Sequence, residues 1–433
     1  MNLFYKSVFV ALFIYMGMIH SSYSNEESKS HDPSEKNRHI HGSHEECELP
    51  NQVNDIISCA LQFHPLVKRE ELKSKVSSKL FDQASQVPNP TFNTRYIQGE
   101  SQGKEVSELE SNLFFEFELG GKKKARQDLA KSIYSHSQLS EQKMKAKVKK
   151  ETILNLYRLR QVKDEEKANA DSLAAFEKVI RRLKNLPRLN AEQEADLTLF
   201  EIAKEEALVE KAVLYQEERR IEHFFHIATG HSIGEIKKFI PGFKNNWPLI
   251  DERSESKNSL YVEGLKLESL QARNQLKLER SRAWPNLKVG PSLMVDQGVT
   301  NKNTLVGLSV SLPIPILNQN SGGKSLALEN HLKSQKEVEF RKAEESHERN
   351  EQLHVYRNTV SILKATLKNK ELQKRQNRIE KLYMRGLIAS SVFLESVRQK
   401  LSYIKSRNER ELVALSSLWN IYEFDGAILK EQI

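Results

Sequence analysis

The side chains best equipped for chemistry crowd one short polar stretch near the N-terminus. His31, Asp32, His39, His41, His44 and Cys47 offer nitrogen, oxygen and sulfur donors within it. Imidazole suits zinc, copper and nickel, and a mobile His-rich tract binds such ions weakly. His31, His39, His41 and His44 are therefore candidate metal ligands, against the plainer reading of a solvated linker. His223 and His226, three apart on a helix, form a second pair, although such pairs on a polar helix are usually solvated. Cys47 and Cys59 can join in an oxidising compartment or stay independent thiols. No phosphate-binding GxxxxGK[ST], no GxGxxG after a strand, no HExxH and no Ser/His/Asp set is present. Neither an enzyme nor a cofactor is expected.

Charged residues make up 29% of the 433 and apolar ones only 38%, which fits long, charge-decorated helices better than one large compact core. The net charge of +9 raises the question of nucleic acid. The basic residues are interleaved with nearly as many acids, however. The dense runs Lys122-Lys123-Lys124-Ala125-Arg126 and Lys143 to Lys150 read as solvated helix faces, and no nucleic-acid-binding motif accompanies them. At the N-terminus, Lys6, the apolar run Val8 to Ile19 and Ser22-Tyr23-Ser24 have the order of a secretory signal peptide ending at Ser24. No later stretch is apolar enough for a transmembrane helix, so membrane insertion would require a β-barrel.

The elements that must position these groups follow from periodicity. Val53 to Gln86 is helical, broken near His64-Pro65 and stopped at Pro88-Asn89-Pro90. Phe92 to Tyr96 and Leu113 to Leu119 then alternate like strands, joined by a Gly- and Ser-containing loop. After Gly120-Gly121 a long helix runs to Leu186, Pro187 interrupts it, and a second helix runs from about Asn190 to Thr229. The plan recurs: a helix from Ser259 to Arg282, strands around Leu287–Val295 and Val306–Leu312, Gly322-Gly323, a long helix to Arg385, a break at Gly386, and a last helix to Phe424. The landmarks are offset by roughly 200 residues, as in a duplicated unit.

Strands of about ten residues suit a bilayer's hydrocarbon layer. Four strands cannot close a barrel, and open edges are not tolerated in lipid, so the pattern asks for three chains and twelve strands. The helical seams are narrow. Leu353, Tyr356, Val360, Leu363 and Leu367 keep heptad spacing, and so does the series from Val397 to Tyr422, with a stutter at Ile404–Asn408–Leu412.

The chain resembles the TolC-like outer-membrane efflux family, nearest its CzcC/CusC-type cation-exporting branch. The resemblance spans about residues 52–426. It rests on His64-Pro65-Leu66, Gln86-Val-Pro-Asn-Pro90, Glu118-Leu-Gly-Gly-Lys-Lys-Lys-Ala-Arg126, Ala283-Trp-Pro-Asn286, Ser309 to Pro315, Asn318 to Gly322, and Tyr383 to Ser390 with Glu395 and Gln399. It implies a mainly α fold with a β-barrel portion: a trimer with four strands per chain in a twelve-stranded barrel, above a periplasmic tunnel of long coiled-coil helices. It implies an exit channel in the outer membrane, probing into the periplasm and exporting heavy-metal cations. The implied partners are two further copies of the chain, a periplasmic adaptor (membrane fusion) protein, an inner-membrane resistance-nodulation-division (RND) pump and outer-membrane lipid. Glu395 aligns with an acidic position near the gate, where a second acidic position is Val392 here. Leu186, Pro187, Arg385, Gly386, Leu387 and Ser390 fall at the adaptor-contacting helix tips.

The expected organisation is a signal peptide (1–24), a His-rich arm (25–50), a first efflux repeat (51–230), an equatorial connector (231–258), a second repeat (259–426) and a tail (427–433). Two other readings compete: the exit duct of a type I protein or drug export system, and a periplasmic coiled-coil scaffold without a pore.

Overall fold

The structure, a computed structural model, describes Cys47 and residues 50–251 and 259–433. The expected signal peptide (1–24) and the arm's candidate ligands His31, His39, His41 and His44 lie outside the described residues.

The chain enters through three short helices, α1 (Val53–Phe63), α2 (Pro65–Ser78) and α3 (Leu80–Ser85). Pro65 opens α2 because the first helical position needs no N–H. His64 caps it, its Nδ1 accepting the Leu66 N–H at 3.1 Å. A hairpin follows, β1 (Thr91–Ser101) and β2 (Lys104–Glu118). The loop expected between these strands is absent: they run on to a two-residue turn. Gln102 and Gly103 both take positive φ, 55° and 70°, the turn that matches the twist of paired strands. The polar residues that read as a loop instead line solvent-exposed ends of the strands.

Helix α4 (Lys122–Lys184) has 63 residues, about 95 Å at 1.5 Å per residue. Helix α5 (Ala191–Thr229) starts at a reciprocal Asn190/Gln193 cap and ends at Gly230, whose φ of 77° lets the chain turn off. The connector contains a one-turn helix, α6 (Ile233–Ile236), and a 3-10 turn. Then come α7 (Leu260–Arg282), β3 (Asn286–Gln297), β4 (Lys302–Ser311), α8 (Ser321–Ala365), α9 (Asn369–Met384) and α10 (Ser390–Phe424).

The long second-half helix expected to reach Arg385 is two helices, with extended backbone at Thr366 and Lys368 between them. Neither Gly nor Pro marks the break. Tertiary partners take the freed backbone groups instead: the Leu367 N–H donates to the Tyr403 hydroxyl at 2.7 Å, and its carbonyl accepts from Arg407 at 3.2 Å.

The strands form one antiparallel sheet in the order β1-β2-β3-β4, with β1 and β4 at its edges. The β2–β3 seam joins the two hairpins and demands Gly290, where any Cβ would collide with the Leu113 carbonyl. Gly120, at φ 70°, is likewise pressed against the Trp284 ring. Two main cores hold the helices, with a small third cluster of Ala60, Val67, Val148 and Ala228. The larger gathers Ile56 of α1, Ile153 and Leu156 of α4, Phe225 of α5, Leu353 of α8 and Leu415 of α10. The smaller lies near the helix tips and is built from Phe176, Leu183, Phe200, Phe393 and Val397.

Candidate functional site

Register assigns the sheet's two faces. Residues directly opposite one another share a face. Phe92 pairs with Leu113, Phe115 with Val289, and Val289 with Val310. Ser111 pairs with Leu293, and Leu293 with Val306. One face is thus apolar across all four strands, from Phe92 and Tyr96 through Leu113, Phe115 and Phe117 to Val306 and Leu308. Nothing among the described residues covers it: Phe92 is 62%, Leu308 70% and Val306 81% exposed. The other face is polar and internally paired. Arg95 bridges Glu108 at 3.1 Å and Glu110 at 3.2 Å, Asn286 donates to Glu116 at 2.6 Å, and Ser309 donates to Asn112 at 2.9 Å. A continuous exposed apolar patch of this kind marks a surface that a partner or a lipid phase covers.

The Glu118–Arg126 motif is the joint between this sheet and α4. The Glu118 carboxylate accepts both ends of the Arg126 guanidinium, one at 2.9 Å, and Arg126 also donates to the Gln86 carbonyl at 3.1 Å. Lys122 reaches across to Asn286 of β3. The motif therefore ties the end of β2 to the start of α4 and links that joint to β3 of the second hairpin.

At the opposite end of α4 the two helix tips lie side by side. Arg182 donates to the Met384 carbonyl at 3.2 Å, and Lys178 pairs with Glu380 at 3.0 Å. Tyr383 stacks on Phe393 with ring centroids 4.6 Å apart, and Phe200 leans on both. Gly386 turns the second tip at φ 72°. Leu186, Pro187, Arg385, Gly386 and Leu387 are exposed together at this end. Ser390 differs, being half-buried and donating to the Asp196 carboxylate. Glu395 lies one turn into α10, exposed, with its carboxylate accepting from Gln399 at 2.9 Å. Arg398, the nearest candidate counter-ion, pairs instead with Glu206 at 2.7 Å.

No family model and no characterised protein sequence matches the chain. Solved structures do. The CmeC outer membrane channel of Campylobacter jejuni superposes with a TM-score of 0.67 at 14% identity, over 87% of this chain and 86% of that one. The outer-membrane channel OprN gives 0.68 at 13%, over 89% and 93%. CusC, described with transmembrane channel formation, gives 0.66 at 11%, over 88% and 93%.

The fold is that of the TolC-like channels.

These TolC-like neighbours are channel proteins rather than enzymes. The match covers both the sheet and the helices, so the hairpins belong to the shared architecture. Among the described residues the histidine pair does not come together with other donors: His223 and His226 are both exposed on α5. The cysteines do pair, in a Cys47–Cys59 disulfide.

A buried polar seam between α4 and α10 was not foreseen. Arg160 meets Glu411, Gln161 donates to Glu411 and to the Asn408 carbonyl at 2.9 Å each, and Asn408 donates to Glu165 at 2.8 Å. Glu411 is fully buried. The stutter at Asn408 was the only trace of it in the sequence. Tyr157 beside the seam has its phenol pushed up to about 12, first by burial and then by the Glu411 charge.

Proposed function

We propose that this chain is the exit duct of an efflux machine in the outer membrane, three copies closing their open sheets into a twelve-stranded barrel above a helical tunnel. One observation carries the reading: a four-stranded sheet with a continuous bare apolar face and two unpaired edges, at one end of long helices. In lipid every strand edge needs a partner, and a threefold arrangement supplies β4 of one copy to β1 of the next. The polar faces then turn inward and wet the lumen. The TolC-like fold supports the same reading.

The tips at Leu186–Pro187 and Arg385–Leu387 are the docking end for a periplasmic adaptor that joins the duct to an inner-membrane RND pump. Exposed apolar side chains on a turn suit a helical-hairpin partner. The cargo is a heavy-metal cation, supported by the cation-branch sequence motifs and by Glu395, whose three copies would form a negative ring. The arm's His31, His39, His41 and His44 bind divalent cations weakly, which calorimetric titration of a peptide covering residues 25–50 tests.

The duct is tested by fractionating a Gram-negative host that expresses the full chain and measuring the detergent-solubilised mass by light scattering. The expected result is outer-membrane recovery at three times the mass of the processed chain. A soluble periplasmic monomer overturns it. Sensitivity of a deletion strain to zinc, copper or cobalt tests the cargo separately.

A further inference from the structure

Cys47, Cys59 and His231 place one potential ligand atom each within 4.8 Å of one another, a cluster unrelated to the duct's sheet or tips. The fold builds it deliberately from three segments. Cys59 is buried on α1, where its sulfur lies 3.7 Å from the Thr229 carbonyl oxygen at the end of α5. Gly230 then turns the chain through its left-handed conformation, and the His231 N–H returns to the Thr229 hydroxyl at 3.2 Å. That turn folds the imidazole back under α1, leaving it 7% exposed.

The imidazole of His231 has a carboxylate on one side and a bare nitrogen on the other. Its Nδ1 faces the Glu235 carboxylate at 3.7 Å, and Glu235 is itself fixed by the Ser232 N–H and hydroxyl, each at 2.9 Å. Its Nε2 is buried with no hydrogen-bond partner among the described residues. At that distance the carboxylate is a charged neighbour rather than a hydrogen-bond acceptor, on the side where carboxylates stand behind metal-bound histidines. A buried nitrogen left unpartnered is otherwise an uncompensated desolvation cost.

We propose that in its dithiol state this cluster is a Cys2His site for a thiophilic d10 cation, Zn²⁺ or Cu⁺, and that the Cys47–Cys59 disulfide is the alternative, metal-free state of the same residues. Two thiolates and an imidazole match the softness of these ions. The two states exchange by a balanced step. A dithiol reductant supplies two electrons and two protons, the Sγ–Sγ bond breaks, two thiols form, and the reductant becomes its own disulfide. Cation binding then displaces the two thiol protons; in the reverse direction a disulfide oxidant accepts two electrons and two protons, becomes a dithiol, re-forms the Sγ–Sγ bond and so releases the cation. The Cα atoms of Cys47 and Cys59 lie 5.9 Å apart, so little backbone movement is needed to spread the sulfurs around an ion.

The test uses the purified full chain, reduced anaerobically with a phosphine and titrated with Co²⁺ as a spectroscopic probe. A near-ultraviolet thiolate-to-cobalt band should appear at one ion per chain, bleach on adding Zn²⁺, and be absent from unreduced protein. The arm's four histidines alone cannot produce this band, because it reports sulfur ligation, and a site made by the arm through Cys47 would keep its affinity in His231→Gln. His231→Gln should weaken Co²⁺ binding by about tenfold or more, and Cys47→Ser should lose the two-thiolate intensity while the fold, read by circular dichroism, is kept. In the wild-type chain Zn²⁺ should slow alkylation of both thiols by at least about tenfold. Absence of the band in reduced protein, affinity unchanged in His231→Gln, or alkylation indifferent to Zn²⁺ would overturn the site.

Discussion

At the level of single residues, His64 shows how a small break in a helix acquires a pH dependence. Its side chain is buried and accepts a backbone hydrogen bond through Nδ1, so only the neutral ring fits. Burial lowers its pKa below 6.5, partly opposed by the Glu151 charge. A histidine with a depressed folded pKa binds fewer protons folded than unfolded, so its contribution is fully present above about 6.5 and fades as pH falls below that value. The thermal midpoint should drop between pH 7.5 and 5.5, and should drop less in His64→Asn, which keeps an acceptor without a titrating ring. Equal drops would remove His64 from the account. Glu395 makes a different kind of prediction. Its one hydrogen bond, from Gln399, leaves the charge available to a lumen, and Glu395→Gln should lower cation preference in planar-bilayer conductance. Of these two residues, the sequence pointed to both by position. It could not show that Arg398 is committed to Glu206, because that partner comes from a helix almost two hundred residues away.

Among the elements, the strands and helices were readable wherever a periodicity ran undisturbed. The apolar face from Phe92 to Leu308 follows from alternation alone, and Pro187 and Gly386 announced the tips. The β1–β2 turn was missed because its polar strand ends carry no apolar alternation. The α8–α9 break was missed because Tyr403 and Arg407, not Gly or Pro, stabilise it. Gly290 concentrates the consequence of close strand approach. Gly290→Ala forces β2 and β3 apart at the joint between hairpins, an overpacking cost of about 3 kcal/mol. The yield of assembled oligomer on a non-denaturing gel should fall at least about tenfold, whereas Gly99→Ala, in open space on β1, should leave it unchanged. At the tips, a cysteine replacing exposed Leu387 should crosslink to an adaptor more readily than one replacing half-buried Ser390. Labelling of that cysteine by an impermeant reagent on intact cells would place the tips on the wrong side of the membrane.

For the molecule as a whole, the two unpaired sheet edges have a consequence in gene dosage. A barrel closed by three identical open sheets has no spare edge, so one faulty β4 breaks the ring for all three copies. A proline replacing Val306 would remove a backbone donor from that edge and project onto the neighbouring copy. When such an allele is expressed equally with the normal one, random assembly leaves about one ring in eight free of the defect. The allele should therefore be dominant negative. Export, measured as survival on the toxic cargo, should fall far below the half expected of a protein that works as a monomer. A recessive allele would mean that the chains do not share their edges.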